Sequence, residues 1–170
     1  LAGVEKSIGW ALFEYGGWFK KGHNVELNYE KALVFFKRAS AKGFAPAALQ
    51  AGSLLITGRL GRKRMPEAIP FLKRAGDLGL AVGYHYAGIW LGQGYSIEKD
   101  EGRALDFLRK ALISGTGITT FKAVADIYDR TLSSEIRQES LETLCMAASD
   151  SKLFQPAELT NVFDLSQCDR

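Results

Sequence analysis

Residues 11–43 read ALFEYGGWFKKGHNVELNYEKALVFFKRASAKG, and the same pattern returns twice further along the chain. Residues 48–79 read ALQAGSLLITGRLGRKRMPEAIPFLKRAGDLG, and residues 84–115 read YHYAGIWLGQGYSIEKDEGRALDFLRKALISG. The copies align at a period of 36 residues without an insertion or a deletion. A period of this length is typical of stacked helical repeats.

Columns of identical residues set the register of the three copies. The columns are Gly16, Gly52 and Gly88; Gly22, Gly58 and Gly94; Ala32, Ala68 and Ala104; Phe35, Phe71 and Phe107; Ala39, Ala75 and Ala111; and Gly43, Gly79 and Gly115. An interior glycine costs a helix about 1 kcal/mol relative to Ala. We therefore expect a second helix to approach closely at the first of these columns, with Ala32 and Ala39 as its small residues.

The ends of the expected helices carry their own signals. Asn28 and Asp100 suit the N-cap of the second helix of a pair. Gly22 and Gly43 suit the left-handed residue that follows a helix. Together these signals predict helices over residues 8–21 and 29–42 in the first copy.

This pattern resembles the Sel-one-like repeat (SLR) family, a relative of the tetratricopeptide repeats. The resemblance rests on ALFEYGGWFKKG in the first helix and YEKALVFFKRASAKG in the second, with the matching residues of the next two copies. It implies an all-α fold, an α-solenoid of antiparallel helix pairs wound into a right-handed superhelix. It also implies a bacterial source and a protein-binding role.

Composition adds few constraints. The 170 residues amount to one domain, 46% of them are hydrophobic, and the net charge of +3 does not by itself indicate nucleic acid or membrane. No apolar run is long enough to cross a membrane. Leu1-Ala2-Gly3 looks like the end of a lipoprotein signal, but Val4 stands where that signal needs Cys. The simpler interpretation is that residues 1–7 align with residues 37–43 and are the tail of a preceding second helix.

The period divides the rest of the chain into repeats. We predict one α-solenoid domain with repeats at residues 8–43, 44–79, 80–115 and 116–151, the last one degenerate, and a capping helix and tail over 152–170. In the second repeat, Pro46 and Pro66 suit the first turn of a helix, whereas Pro70 predicts a kink or a delayed start. Helices are expected at 118–130 and 134–149, and AELTNVFDL after Pro156 is predicted to form the capping helix.

The resemblance implies that the first helices line a concave groove that binds a partner protein or peptide. Residues mapped to that groove are Trp10, Phe13, Gly17, Lys20, Leu49, Ser53, Ile56, His85, Ile89, Gln93, Phe121, Ala125 and Tyr128. Phe13, Leu49, His85 and Phe121 share one column, so they would form an apolar strip that marks a binding site if exposed. Packing between adjacent first helices is the alternative, above all for Leu49 and Ile56.

Other residue clusters carry weaker signals. Arg59, Arg62, Lys63 and Arg64 form a basic loop that is either a solvated surface or a contact for an acidic partner, and no nucleic acid is expected to bind there. His23 and His85 occupy unrelated columns, so no metal site and no cofactor are expected. Cys145 and Cys168 would form a disulfide in an oxidising compartment and remain thiols in the cytoplasm. A periplasmic or envelope location and a cytoplasmic location both stay open.

Two functions follow from these observations. The first is a non-catalytic interaction scaffold, since no nucleophile, acid/base pair or phosphate loop is assembled by the sequence. In bacteria, proteins that resemble this one serve envelope assembly, secretion, signalling or toxin neutralisation. The alternative is an accessory or catalytic domain of an enzyme, with His85 as an acid/base in a groove pocket.

Overall fold

The computed structural model describes the backbone of residues 2–150, 153–154 and 156–169, and the side chains of 7–62, 64–150, 153–154 and 158–168. Every regular element in these ranges is helical. Residues group into two compact units, Leu1–Gly83 and Tyr84–Arg170, where the sequence predicted one domain.

The first unit holds two helix pairs. They are α1 (Ala2–Lys21) with α2 (Tyr29–Ala41), and α3 (Ala45–Ile56) with α4 (Ala68–Asp77), which follows a 3-10 helix at Arg62–Glu67. Helix α2 also packs against α3, so the pairs stack. Residues 1–7 were predicted to be the tail of a separate, preceding helix. In the structure α1 is instead continuous from Ala2, and Leu1 lies outside the described residues.

The second unit continues the pattern. Helix α5 (Val82–Gln93), which begins just before the unit boundary, precedes α6 (Glu101–Ile113), and α7 (Ile118–Arg130) precedes α8 (Ser134–Ser149). The helices predicted at 118–130 and 134–149 are confirmed. The described part of the C-terminal segment contains the single-turn helix α9 (Pro156–Leu159) and a 3-10 helix at Leu165–Asp169.

The column of Gly16, Gly52 and Gly88 marks where paired helices touch. A β-carbon added to Gly52 would lie 2.7 Å from the Leu72 side chain, and one added to Gly88 would lie 2.6 Å from Leu108. Gly22 and Gly43 have φ of 70° and 78°, the left-handed conformation predicted for them. These two uses of glycine explain why the period can be seen in the sequence.

The expected caps are present. The carboxamide oxygen of Asn28 accepts a hydrogen bond of 2.9 Å from the backbone N–H of Lys31. The carboxylate of Asp100 accepts one of the same length from the backbone N–H of Arg103. Such caps satisfy N–H groups that have no partner within the helix.

The prolines of the second repeat act differently from one another. Pro46 lies in the first turn of α3, as predicted. Pro66 lies in the 3-10 helix rather than in the first turn of α4, so that prediction is wrong. Helix α4 begins only at Ala68, so Pro70 falls in its first turn, where no backbone donor is needed. The delayed start predicted for this helix is therefore confirmed.

The prediction of a nine-residue capping helix is wrong. Helix α9 stops at Leu159, and the chain continues through turns that place Leu159 and Phe163 in the core. Thr160, Asn161 and Asp164 have low helix propensity, which favours turns over a longer helix.

Candidate functional site

An open groove runs along the first helices of the second unit. Its volume is about 410 Å³, and α5 and α7 form its walls above the start of α6. Two residues predicted for the groove, Ile89 and Gln93, line it together with Gly88 and Gly92 of the same helix. The residues around the groove are Gly88, Ile89, Gly92, Gln93, Lys99, Glu101, Leu108, Thr119, Lys122, Ala123, Asp126, Ile127 and Arg130.

Charged side chains of both signs surround this groove. Lys99 Nζ lies 2.6 Å from the Glu101 carboxylate, and Arg130 lies 2.7 Å from the Asp126 carboxylate. The hydrogen bond from Lys99, reinforced by one from the Thr131 hydroxyl, lowers the pKa of Glu101. Lys122 lies one helical turn before Asp126, so this face of α7 presents charge along its length.

His85 is not among the described residues that line the groove. Its Nδ1 atom lies 2.8 Å from the Thr120 hydroxyl, which lies 2.7 Å from the Thr116 hydroxyl. Burial lowers the pKa of the imidazole. A general base needs a positioned partner and a substrate pocket, and the partner here is an uncharged hydroxyl.

Two of the predicted groove residues are buried instead. Phe121 is 0% exposed and Ala125 is 5% exposed, so neither offers a binding surface. The Phe121 ring packs on Phe154, with ring centroids 5.5 Å apart. The predicted strip therefore does not extend to Phe121, because residues after the last repeat cover that position.

The C-terminal segment covers Tyr128 as well. The Tyr128 hydroxyl donates a hydrogen bond of 2.5 Å to Gln167, and its ring lies edge-on to Phe163 at 5.5 Å. Cys145 in α8 and Cys168 are joined by a disulfide, so this segment is tied to the last helix pair.

In the first unit, a smaller pocket brings predicted groove residues together with a residue of the basic loop. It has a volume of about 200 Å³. Lys20 and Ser53, both predicted for the groove, line it together with Arg59 of the basic loop. The remaining described lining residues are Tyr29, Leu54 and Thr57.

Lys20 is the centre of positive charge in this pocket. Its Nζ donates a hydrogen bond of 2.6 Å to the side chain of Gln50. Burial, followed by repulsion from Lys21 and from Arg59, lowers the pKa of Lys20. A lysine in this setting gains from a nearby anion.

The basic loop does not act as one cluster. Arg59 donates a hydrogen bond to the Tyr29 hydroxyl at the pocket. Arg64 binds Glu30 at 2.7 Å and Glu67 at 2.9 Å, and these bonds raise its pKa. Arg62 is exposed, and the side chain of Lys63 lies outside the described residues. The loop's charge is thus divided between the pocket and an ion-pair network.

The other predicted residues of the first unit are dispersed. Trp10 is 57% exposed and lines a shallow cleft of about 310 Å³ with Tyr15 and Trp18 on α1. Phe13 is half-buried, with its ring 5.7 Å from Phe36 and 5.2 Å from Phe44. Leu49 and Ile56 are half-buried, and nothing within 4 Å opposes a β-carbon at Gly17.

Sequence reasoning missed several residues at both surfaces. Lys122, Asp126 and Arg130 are four residues apart, so helical spacing alone could have placed them on one face. Tyr29 and Thr57 carried no signal, because only the packing of helix ends brings them to Lys20.

Two general properties bear on what these surfaces can bind. Among the described residues, no three His, Cys, Asp or Glu side chains come close enough to share a metal ion. Within the same part of the chain, no helix has the length and apolar character that crossing a membrane requires.

Two solved structures share this architecture. One is a Sel1 repeat protein from Oxalobacter formigenes, with a TM-score of 0.60 and 23% identity over 85% of this chain. The other is c5321 of Escherichia coli, a protective antigen of uropathogenic strains with an SLR fold, with a TM-score of 0.62 and 21% identity over 91%. This chain has the Sel1-like repeat fold.

That fold is the one the sequence pattern indicated, and the all-α fold class is confirmed. The chain spans 59% of the length of the Oxalobacter protein and 32% of that of c5321. No protein-family model matches the sequence, and no curated protein matches it.

Proposed function

We propose that this protein is a non-catalytic scaffold that binds a segment of a partner protein in the groove between α5 and α7. The observation that carries the proposal is the groove itself, about 410 Å³ in volume and built on first helices. Sel1-like repeat architecture supports it, since stacked helix pairs present extended surfaces for binding.

The chemistry of the groove suits a protein segment. Ile89 supplies apolar surface, while Gln93 and Lys122 supply hydrogen-bonding groups around it. Interfaces between proteins combine an apolar centre with a polar rim in this way.

Paired charges on the rim favour selectivity over affinity. Lys99 with Glu101, and Arg130 with Asp126, are already neutralised within the protein. A partner with complementary charges can exchange these pairs for pairs of its own, whereas one with like charges is repelled.

The test is selection from a displayed library of random peptides about 12 residues long, followed by fluorescence anisotropy with the selected peptides. Ile89→Glu is expected to weaken binding by about tenfold or more, since burying an unpaired carboxylate in the interface is unfavourable. Ile113→Glu is the matched control, because Ile113 lies on α6 and is 63% exposed.

The control variant is expected to bind like the wild type, and circular dichroism checks that both variants are folded. Equal loss of binding in the two variants would contradict the assignment of the groove. Failure of the wild type to select any peptide would contradict the scaffold function.

A further inference from the structure

The pocket of the first unit is built from the ends of three helices. Lys20 comes from the last turn of α1, Tyr29 from the first turn of α2, and Thr57 follows the last turn of α3. Arg59 follows α3 in the next turn. Packing of α1 against α2, and of α2 against α3, fixes these ends beside one another.

The described lining of this pocket contains two cations, Lys20 and Arg59, and no carboxylate. Lys21 adds a third positive charge next to Lys20. Lys20 is half-buried while Lys21 and Arg59 are exposed, so the repulsion acts on an ammonium that water screens less than on an open surface. An anion that enters the pocket relieves that repulsion.

Donors remain available for such an anion. The ammonium of Lys20 has three N–H donors and gives one to Gln50, and the guanidinium of Arg59 has five and gives one to Tyr29. The Ser53 hydroxyl adds a further donor at the same place. A carboxylate can accept bonds from two of these groups at once, one at each oxygen.

The dimensions of the pocket limit the size of the ligand. Its volume of about 200 Å³ lies below the roughly 300–1,000 Å³ of sites that enclose whole small molecules. Leu54 and the Tyr29 ring provide an apolar wall for a short aliphatic stem. The space therefore suits one side chain of a larger partner.

The distribution of charge favours a single carboxylate over a polyanion. Nucleic acids are held by rows of Lys and Arg that neutralise several phosphates. Here the neighbouring Arg64 is already bound by Glu30 and Glu67, so the positive charge does not continue from the pocket into a strip at Arg64.

We propose that the pocket formed by Lys20, Ser53 and Arg59 binds the carboxylate of an Asp or Glu side chain of a partner protein. This inference rests on the proposed function, because the carboxylate is supplied by the bound protein. It adds a chemical requirement that the α5–α7 groove does not impose.

The experiment uses the peptides selected by the wild-type chain, synthesised with acetylated and amidated ends so that only side chains carry a carboxylate. Selected sequences are expected to share an acidic residue at one position. Replacing that residue by Gln or Asn is expected to weaken binding to the wild type about tenfold.

The same replacement is expected to cost less than about twofold on Lys20→Met or on Arg59→Met, because the partner of the carboxylate is then missing. Arg62→Met is the matched control, since Arg62 is an exposed cation of the same loop and is not among the described lining residues. It is expected to behave like the wild type.

Three outcomes overturn the inference. The inference is overturned if the selected peptides share no acidic residue. It is also overturned if replacing that residue weakens binding equally for the wild type and for Lys20→Met. Both outcomes leave the scaffold function standing. Absence of any selected peptide would overturn the scaffold function and this inference with it.

Discussion

Gly16 on α1 lies directly against the ring of Phe36 on α2, and a β-carbon added to Gly16 would be 2.7 Å from that ring. Phe36 is 1% exposed, so surrounding side chains hold the ring in place. The same relationship recurs at Gly52 with Leu72, one period further along. The glycine period in the sequence therefore reflects one helix–helix contact that is repeated every 36 residues.

The adjacent glycines Gly16 and Gly17 give a direct test of this contact. Gly16→Ala is expected to lower the free energy of unfolding by about 1–3 kcal/mol, because the methyl group overpacks the contact with Phe36. Gly17→Ala is expected to raise it by about 0.5–1 kcal/mol, because nothing lies within 4 Å and Ala favours the helix.

Urea unfolding followed by circular dichroism measures both variants. Each variant serves as the control for the other, since both make the same chemical change one residue apart in one helix. Effects of the same sign would contradict the packing described at Gly16.

Local sequence signals predicted most of the fold. Asn28 and Asp100 cap their helices, and Pro70 delays α4, because each effect depends on residues within one turn. The period carried this information from one copy to the next, so the degenerate last pair could be placed as well.

The candidate sites were predicted less well, for a physical reason. A column of the repeat assigns a face of a helix but does not say what covers that face. Phe121 shares a column with His85, yet Phe154, which follows the repeats, packs on it. The pocket at Lys20 also needs Arg59. The period places Arg59 in a loop between helices but does not predict where its side chain points.

Glu101 predicts a dependence of stability on acid. Its carboxylate accepts hydrogen bonds from Lys99 and from the buried Thr131 hydroxyl, and these lower its pKa below the ordinary value of 4.5. A lowered pKa in the folded state means that the stabilisation is present above pH 4.5 and is lost as the pH falls through the folded-state pKa.

Glu101→Gln is therefore expected to lower the free energy of unfolding at pH 7 by about 1 kcal/mol. The difference from the wild type is expected to shrink as the pH falls through the folded-state pKa of Glu101, below which both side chains are neutral. Asp106→Asn, an exposed carboxylate on the same helix, is the control. A difference that is unchanged at low pH would contradict the role given to the charge.

The Cys145–Cys168 disulfide predicts a response to reductant. It joins residues 23 apart in sequence, and closing a loop of that length stabilises a fold by about 3 kcal/mol in the chain-entropy description. Dithiothreitol is expected to lower the free energy of unfolding of the second unit by about that amount.

The double variant Cys145→Ser and Cys168→Ser is the control for other effects of the reagent. It is expected to unfold like the reduced wild type, with and without dithiothreitol. A wild-type chain whose unfolding is insensitive to reductant would contradict a stabilising disulfide.

His85 predicts a second, separate dependence on pH. Burial lowers its pKa below the ordinary value of 6.5, so the unfolded chain binds the proton more readily than the folded chain. Stability is therefore expected to fall as the pH drops below 6.5 and toward the folded-state pKa. His85→Gln removes the titrating group, while the amide can still pair with the Thr120 hydroxyl.

The measurement is the free energy of unfolding at pH 7.5 and at pH 5.5 for the wild type, His85→Gln and His23→Gln. The loss between the two pH values is expected to be smaller in His85→Gln than in the wild type. His23→Gln is the control, because His23 is exposed in the loop after α1. This variant keeps His85, so the part of the pH dependence that comes from His85 is expected to be unchanged. If His85→Gln loses as much stability as the wild type, then protonation of His85 does not oppose folding, and the half-buried imidazole with its Thr120 partner carries no pH-dependent part of the stability.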